Sequence, residues 1–136
     1  MLCEETREFL AIAVALGPLR AAAESLRPYT GLDAAHTKSR FRMMLLFATG
    51  IDANGQILPL AWALVPTENT QWWVWFCKFL YNYYPSLRTK NHIFVSDRDK
   101  GISKGISTAF PNAYASHCCQ HIANNIQLKY GLAARN

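Results

Sequence analysis

Residues 43–51 (Met-Met-Leu-Leu-Phe-Ala-Thr-Gly-Ile) and 57–65 (Ile-Leu-Pro-Leu-Ala-Trp-Ala-Leu-Val) are apolar runs of strand length flanking Asp52-Ala53-Asn54-Gly55-Gln56. No other feature constrains the chain as strongly. The Asn-Gly pair supplies the positive φ angles of a tight reversal, so the two runs form an antiparallel hairpin. Pro59 falls near the start of the second strand, where it removes a single ladder donor. A hairpin this apolar must be covered, and the sequence after it provides a cover. Trp72, Trp75, Phe76, Phe79, Leu80 and Tyr83 recur at helical spacing as one stripe, with Asn69 or Thr70 as the cap and Pro85 as the stop. This helix packs its aromatic stripe on the sheet.

The remaining elements alternate. Residues 29–34 (Tyr-Thr-Gly-Leu-Asp-Ala) read as a strand before the hairpin, and 93–96 (Ile-Phe-Val-Ser) as another after the aromatic helix. Ile102, Ile106, Ala109 and Phe110 then carry a helical period, a further strand is expected at about 113–118, and a last helix starts near Gln120 with Ile122, Ile126 and Tyr130. Residues 1–28 form a helical lead-in: Phe9, Ile12, Ala13, Leu16, Leu19 and Leu26 fall near helical spacing, with a break at Gly17-Pro18 and an end at Pro28. Three consecutive strands followed by βα units predict an α/β chain with a mixed sheet and helices on its faces.

Bulk properties narrow the function classes. The chain has 136 residues, enough for one domain or a piece of one, and its 51% hydrophobic content excludes a disordered tail. Lys and Arg number 14 against 9 Asp and Glu, a net charge of +5 that favours polyanionic partners. The four cysteines (Cys3, Cys77, Cys118, Cys119) form no disulfide framework, and adjacent cysteines rarely pair, so a reducing, intracellular setting is expected, nuclear or cytoplasmic. No apolar run reaches the roughly 20 residues of a membrane span, and the early run at 9–16 follows Glu4, Glu5 and Glu8 rather than a basic leader. No membrane association is expected.

Two aspartates carry the chemistry. Asp33 lies in the first strand and Asp97 directly follows the strand 93–96. If those strands lie parallel and adjacent, both carboxylates meet at one sheet margin, where open α/β sheets bind ligands. Two carboxylates at about 4 Å repel by about 4 kcal/mol at an effective dielectric of about 20, so such a pair shares a proton or holds a cation. Magnesium and manganese suit carboxylate oxygens, and a pair of such ions supports phosphoryl transfer. The same positions also fit plain structural roles, an N-cap for Asp97 and a turn for Asp33. Asp52 reads as turn chemistry, Asp99 as a first-turn charge suiting its helix dipole, and Glu68 as serving the N-terminus of the aromatic helix. Cys118-x-x-His121 provides two ligands where a structural zinc takes four, so these residues are expected to border the carboxylate site rather than to hold zinc.

The order of these pieces resembles the transposases of Mutator-like elements. The resemblance is carried by Asp33 with His36 and Lys38, by Ala48-Thr49-Gly50-Ile51-Asp52-Ala53-Asn54-Gly55-Gln56 with Pro59-Leu60-Ala61-Trp62-Ala63, and by Glu68 with Trp73-Val74-Trp75-Phe76. Ser96-Asp97-Arg98-Asp99-Lys100-Gly101, Phe110-Pro111-Asn112-Ala113 and Cys118-Cys119-Gln120-His121 complete it. Ala34 stands where that family often has glycine.

The resemblance implies a ribonuclease-H-like mixed sheet, partial over 29–136, and a DDE-type site with Asp33 and Asp97 as catalytic metal ligands. It implies Mg²⁺ or Mn²⁺ as cofactor, cutting and joining of DNA as activity, and homo-oligomers in a full-length protein. Lys38, Arg40, Arg42, Arg98 and Lys100 are the expected DNA contacts. The family's third acid is a Glu on a helix beyond the Cys-x-x-His, and no acid follows Asp99 here. The chain by itself is therefore expected to be inactive as a fragment. The alternative is a non-enzymatic DNA-binding or regulatory descendant, domesticated or relic, that keeps the fold.

Overall fold

The hairpin forms the centre of the sheet. In the computed structural model, which describes residues 1–2, 8–97 and 99–130, β3 (Met44–Ile51) pairs antiparallel with β4 (Ile57–Val65). Gly55 takes φ 81°, and it alone in the loop uses the left-handed region; Asn54 does not. Asp52 closes the turn, its Oδ1 accepting from the Asn54 and Gln56 amides at 2.9 and 2.8 Å. This is turn chemistry, as the sequence predicts. A β-bulge between Ala48 and Thr49 sets Pro59 opposite Thr49, outside the stretch of β4 that has a neighbour on its other side.

Around that pair the sheet runs β1-β4-β3-β2-β5-β6. β2 (Tyr29–His36) lies antiparallel to β3, whereas β5 (Ile93–Ser96) and β6 (Tyr114–His117) extend the sheet in parallel. The sheet is mixed, as the strand order predicts. α2 (Thr70–Tyr83), α3 (Lys100–Ala109) and α4 (Cys119–Tyr130) fall where the periodicity puts them.

The lead-in differs from its expectation. Ile12–Ala15 is a strand, β1, hydrogen-bonded along β4 from Leu64 to Ala61, and not a helix turn. Gly17-Pro18 begins the short helix α1 (Gly17–Ala22) instead of breaking one, because proline at the first turn loses only a donor that has no partner there. Residues 3–7, Cys3 among them, lie outside the described residues.

The core sits between one face of the sheet and the helices. β3 alternates buried and half-buried along its whole length, and Leu46, Ala48, Ala61, Ala63, Val65 and Phe94 are closed off by Trp73, Phe76, Cys77 and Leu80 of α2. Tyr84 locks the end of α2 to the sheet by donating to the Leu60 carbonyl at 2.6 Å. α2 and α3 meet at two glycines. A Cβ on Gly105 would stand 2.9 Å from the Trp73 carbonyl oxygen, and one on Gly101 would stand 3.1 Å from Trp73 Cδ1. Only a residue without a side chain lets the helices approach this closely, and that approach fixes where α3 begins.

Candidate active site

Parallel pairing of β2 with β5 places the two aspartates. The register matches Tyr29 with Ile93, Thr30 with Phe94 and Gly31 with Val95. Two places further along, Asp33 comes level with Asp97 across neighbouring strands about 4.8 Å apart. β6 continues the row: Ser96 pairs with His117, and the Cys118 amide donates to the Ser96 carbonyl at 2.6 Å, so Cys118 follows level with Asp97. Both aspartates are half-buried. Asp33 Oδ1 accepts from the Ala34 amide at 2.8 Å, and Asp97 Oδ1 from the Asp99 amide at 2.9 Å. Among the described residues no hydrogen bond or ion pair engages Oδ2 of either.

The capping role falls to Asp99. Its Oδ1 accepts from the Gly101 and Ile102 amides at 2.7 and 3.1 Å, which satisfies the first turn of α3. Asp97 therefore does not cap α3; it braces the backbone of the residue that does.

Glu68 proves closer to this group than its position in sequence indicates. Asn69 caps α2 by accepting from the Trp72 amide at 3.0 Å, leaving Glu68 free of that task. Its Oε1 accepts from the indole Nε1 of Trp73 at 3.1 Å, and Trp73 is fully buried. Loss of water around the Glu68 carboxyl raises its pKa, the Trp73 bond opposes this, and the charges of Asp99, Asp97 and Asp33 raise it further. Glu68 thus lies within electrostatic reach of three aspartates, an arrangement whose long-range pairing leaves no local signal in the sequence.

Tyr29 is a second residue that pattern reading passes over. Its hydroxyl leans over Gly31, where an added Cβ would lie 3.7 Å away. Burial and the neighbouring Cys118 thiol raise its pKa. Cys118, level with Asp97, is half-buried, and His121 lies in the first turn of α4 with its Nδ1 buried and without a partner among the described residues. Lys38, Arg40, Arg42 and Lys100 are exposed, the first three in the turn that follows β2. Arg98 lies outside the described residues.

The sequence profile of the MULE transposase domain matches residues 29–125, more than two-thirds of the chain. The chain belongs to the MULE transposase domain family. Membership gives it a role in DNA transposition, with DNA as the partner. No curated protein matches the chain. Among the described residues no helix is long and apolar enough to cross a membrane. The matched span of the transposase domain starts at the first residue of β2 and takes in both aspartates, Glu68 and the Cys118–His121 pair.

The donor set fits a hard cation. Among the described residues no three His, Cys, Asp or Glu side chains gather closely enough to enclose a metal ion. Magnesium, however, is commonly held by one or two carboxylates, with water and substrate phosphate completing its shell. Asp33 and Asp97, each with an unengaged oxygen, match that requirement.

Proposed function

We propose that this chain is the leading part of a DDE-type transposase catalytic domain with a ribonuclease-H-like fold. Asp33 and Asp97 would hold Mg²⁺ or Mn²⁺ against a DNA phosphate. The observation that carries the proposal is the parallel register of β2 and β5, which sets two carboxylates side by side at the margin. When bound, such an ion supplies charge neutralisation at the scissile phosphate.

The chain's own residues do the rest. Ala34 and Asp99 amides orient the two carboxylates, and the Trp73 indole holds Glu68. The exposed cations Lys38, Arg40, Arg42 and Lys100 provide phosphate contacts. Asp33 and Asp97 would be two members of the three-acid set that the resemblance implies, residues 100–136 hold no further acid, and the proposal is that these residues bind DNA without joining strands.

The competing reading is a DNA-binding descendant without catalysis. It is favoured by the basic turn after β2 and by the lack of a three-ligand group among the described residues. Fluorescence anisotropy with a labelled duplex separates the two. DNA affinity should fall steeply with salt, with each phosphate contact removed (Lys38→Gln, Arg42→Gln) flattening the log–log slope by about 0.9. Mn²⁺ should strengthen binding in the wild type and not in Asp97→Asn. Binding indifferent to Mn²⁺ selects the non-catalytic reading, and no binding at all contradicts both.

A further inference from the structure

The turn joining β2 to β3 displays an aromatic ring to solvent. Phe41 is 71% exposed, although phenylalanine is ordinarily an inside residue. Lys38, Arg40 and Arg42 surround it within five residues, and the Arg40 guanidinium lies over its ring, 5.1 Å from the centroid. Among the described residues no side-chain hydrogen bond or ion pair neutralises any of the three cations.

The turn is built, not slack. Thr37 donates to the Met43 carbonyl through both its amide and its hydroxyl, each at 2.9 Å, and the Arg42 amide donates to the Ser39 carbonyl at 3.2 Å. These bonds hold Arg42 at φ 45°, the one non-glycine left-handed residue among those described. Strain of that kind persists where the surroundings impose it, and it fixes the direction in which Phe41 projects.

Beside the ring runs an apolar groove of about 440 Å³ lined by Phe9, Leu10, Phe41, Met43 and Pro66. Its volume is that of a cleft for a small planar group. The groove shares a margin with the carboxylates: β2, β4 and β5 run in the same direction, so the turn after β2, Pro66 after β4 and Asp97 after β5 lie at the same end of the sheet. A protein surface matching the groove would have to bring apolar groups against three uncompensated positive charges. A partner with a negative backbone and flat apolar rings satisfies both features at once.

We propose that this turn grips an unpaired stretch of DNA: one base stacks on Phe41 over the groove, and Lys38, Arg40 and Arg42 hold the flanking phosphates. The base must be unpaired, because a paired base in a duplex hides both its faces. A strand held this way is led along the margin toward Asp33 and Asp97. The proposal rests on the chain acting on DNA, and adds where and in what form the strand is held.

The test uses the whole chain and a single-stranded oligodeoxynucleotide carrying 2-aminopurine, whose fluorescence falls on stacking, beside the matching duplex. Wild-type protein should quench the probe and prefer the single strand. Phe41→Ala should weaken binding by about fivefold or more and abolish the quench, with the salt slope unchanged. Phe41→Trp should restore both, and Arg40→Gln should flatten the slope by about 0.7. Because Phe41 is mostly exposed, an unchanged melting temperature verifies that Phe41→Ala folds. Salt-sensitive binding with full quench in Phe41→Ala overturns this proposal and leaves the DNA-acting reading intact. Failure of the wild type to bind any DNA overturns both. Self-association that is insensitive to salt and lost in Phe41→Ala makes the groove a protein contact and overturns the proposal.

Discussion

Trp73→Ala is expected to lower the unfolding free energy by about 3–5 kcal/mol, the range for emptying a buried tryptophan site. For a domain whose total stability is typically about 5–15 kcal/mol, that is a large share. The reason is geometric. Trp73 is fully buried, its ring lies 6.1 Å from that of Phe76, and the edge of its indole fills the notch at Gly101 at the start of α3. Glycine has no side chain with which to close the resulting void, so the helices cannot collapse cheaply. Trp73→Phe should cost clearly less, since it keeps much of the ring volume while losing the Nε1 bond to Glu68. Urea unfolding of the three proteins checks this. Equal midpoints for wild type and Trp73→Ala would show that α2 and α3 do not meet at this residue.

A second large effect concerns acid. His92 is buried, 3% exposed, with Nε2 bonded to the Thr30 hydroxyl at 2.8 Å and Nδ1 facing no partner among the described residues. Burial lowers its pKa from 6.5 to about 4, because an imidazolium there would strand a charged N–H in apolar surroundings. The sign follows from proton counting. Between about pH 4 and 6.5 the unfolded chain binds a proton that the folded chain refuses, so stability is complete above 6.5 and falls as the pH drops toward 4. The loss from this one group reaches up to about 3 kcal/mol. His92→Leu should remove that part of the pH dependence while costing some stability at neutral pH through the Thr30 hydroxyl. Parallel pH–stability curves for wild type and His92→Leu would contradict a buried neutral histidine.

The parts of the fold legible in the sequence are those with strong local signals. The β3–β4 hairpin carries a turn loop between two apolar runs, α2 has an unbroken aromatic stripe between Asn69 and Pro85, and β5, α3, β6 and α4 alternate in order. β1 escapes such reading for a physical reason. Ile-Ala-Val-Ala has no strong preference of its own within an alanine-rich stretch, and it becomes a strand because β4, some fifty residues later, offers its edge. Helix and strand preferences are weak priors that tertiary pairing overrides.

The candidate site divides in the same way. That Asp33 belongs to a strand and Asp97 follows one can be read directly, although β2 runs on past Asp33 to His36; their coming level depends on β2 and β5 pairing in parallel across a span that holds the hairpin and α2. The cap of α3 shifts by two residues, to Asp99, since the backbone turns at Asp97 before the helix begins. Glu68 and Tyr29 join the margin only through three-dimensional proximity. Pattern reading sees Glu68 as a residue before a helix; its bond to the buried indole of Trp73 and its electrostatic coupling to the aspartates emerge only in the fold.

Titration of the whole chain with Mn²⁺, followed by calorimetry or by the loss of the free-ion electron paramagnetic resonance signal, tests the two-carboxylate site most directly. Loss of even an outer-shell partner commonly costs about 10–100-fold in metal affinity, so removing a ligand should cost at least as much. Asp33→Asn and Asp97→Asn are each expected to weaken Mn²⁺ binding by more than about tenfold, whereas Asp52→Asn, in the distant hairpin loop, should leave it unchanged. Mn²⁺ affinity in Asp33→Asn and Asp97→Asn equal to that of the wild type would contradict a metal site shared by Asp33 of β2 and Asp97 after β5.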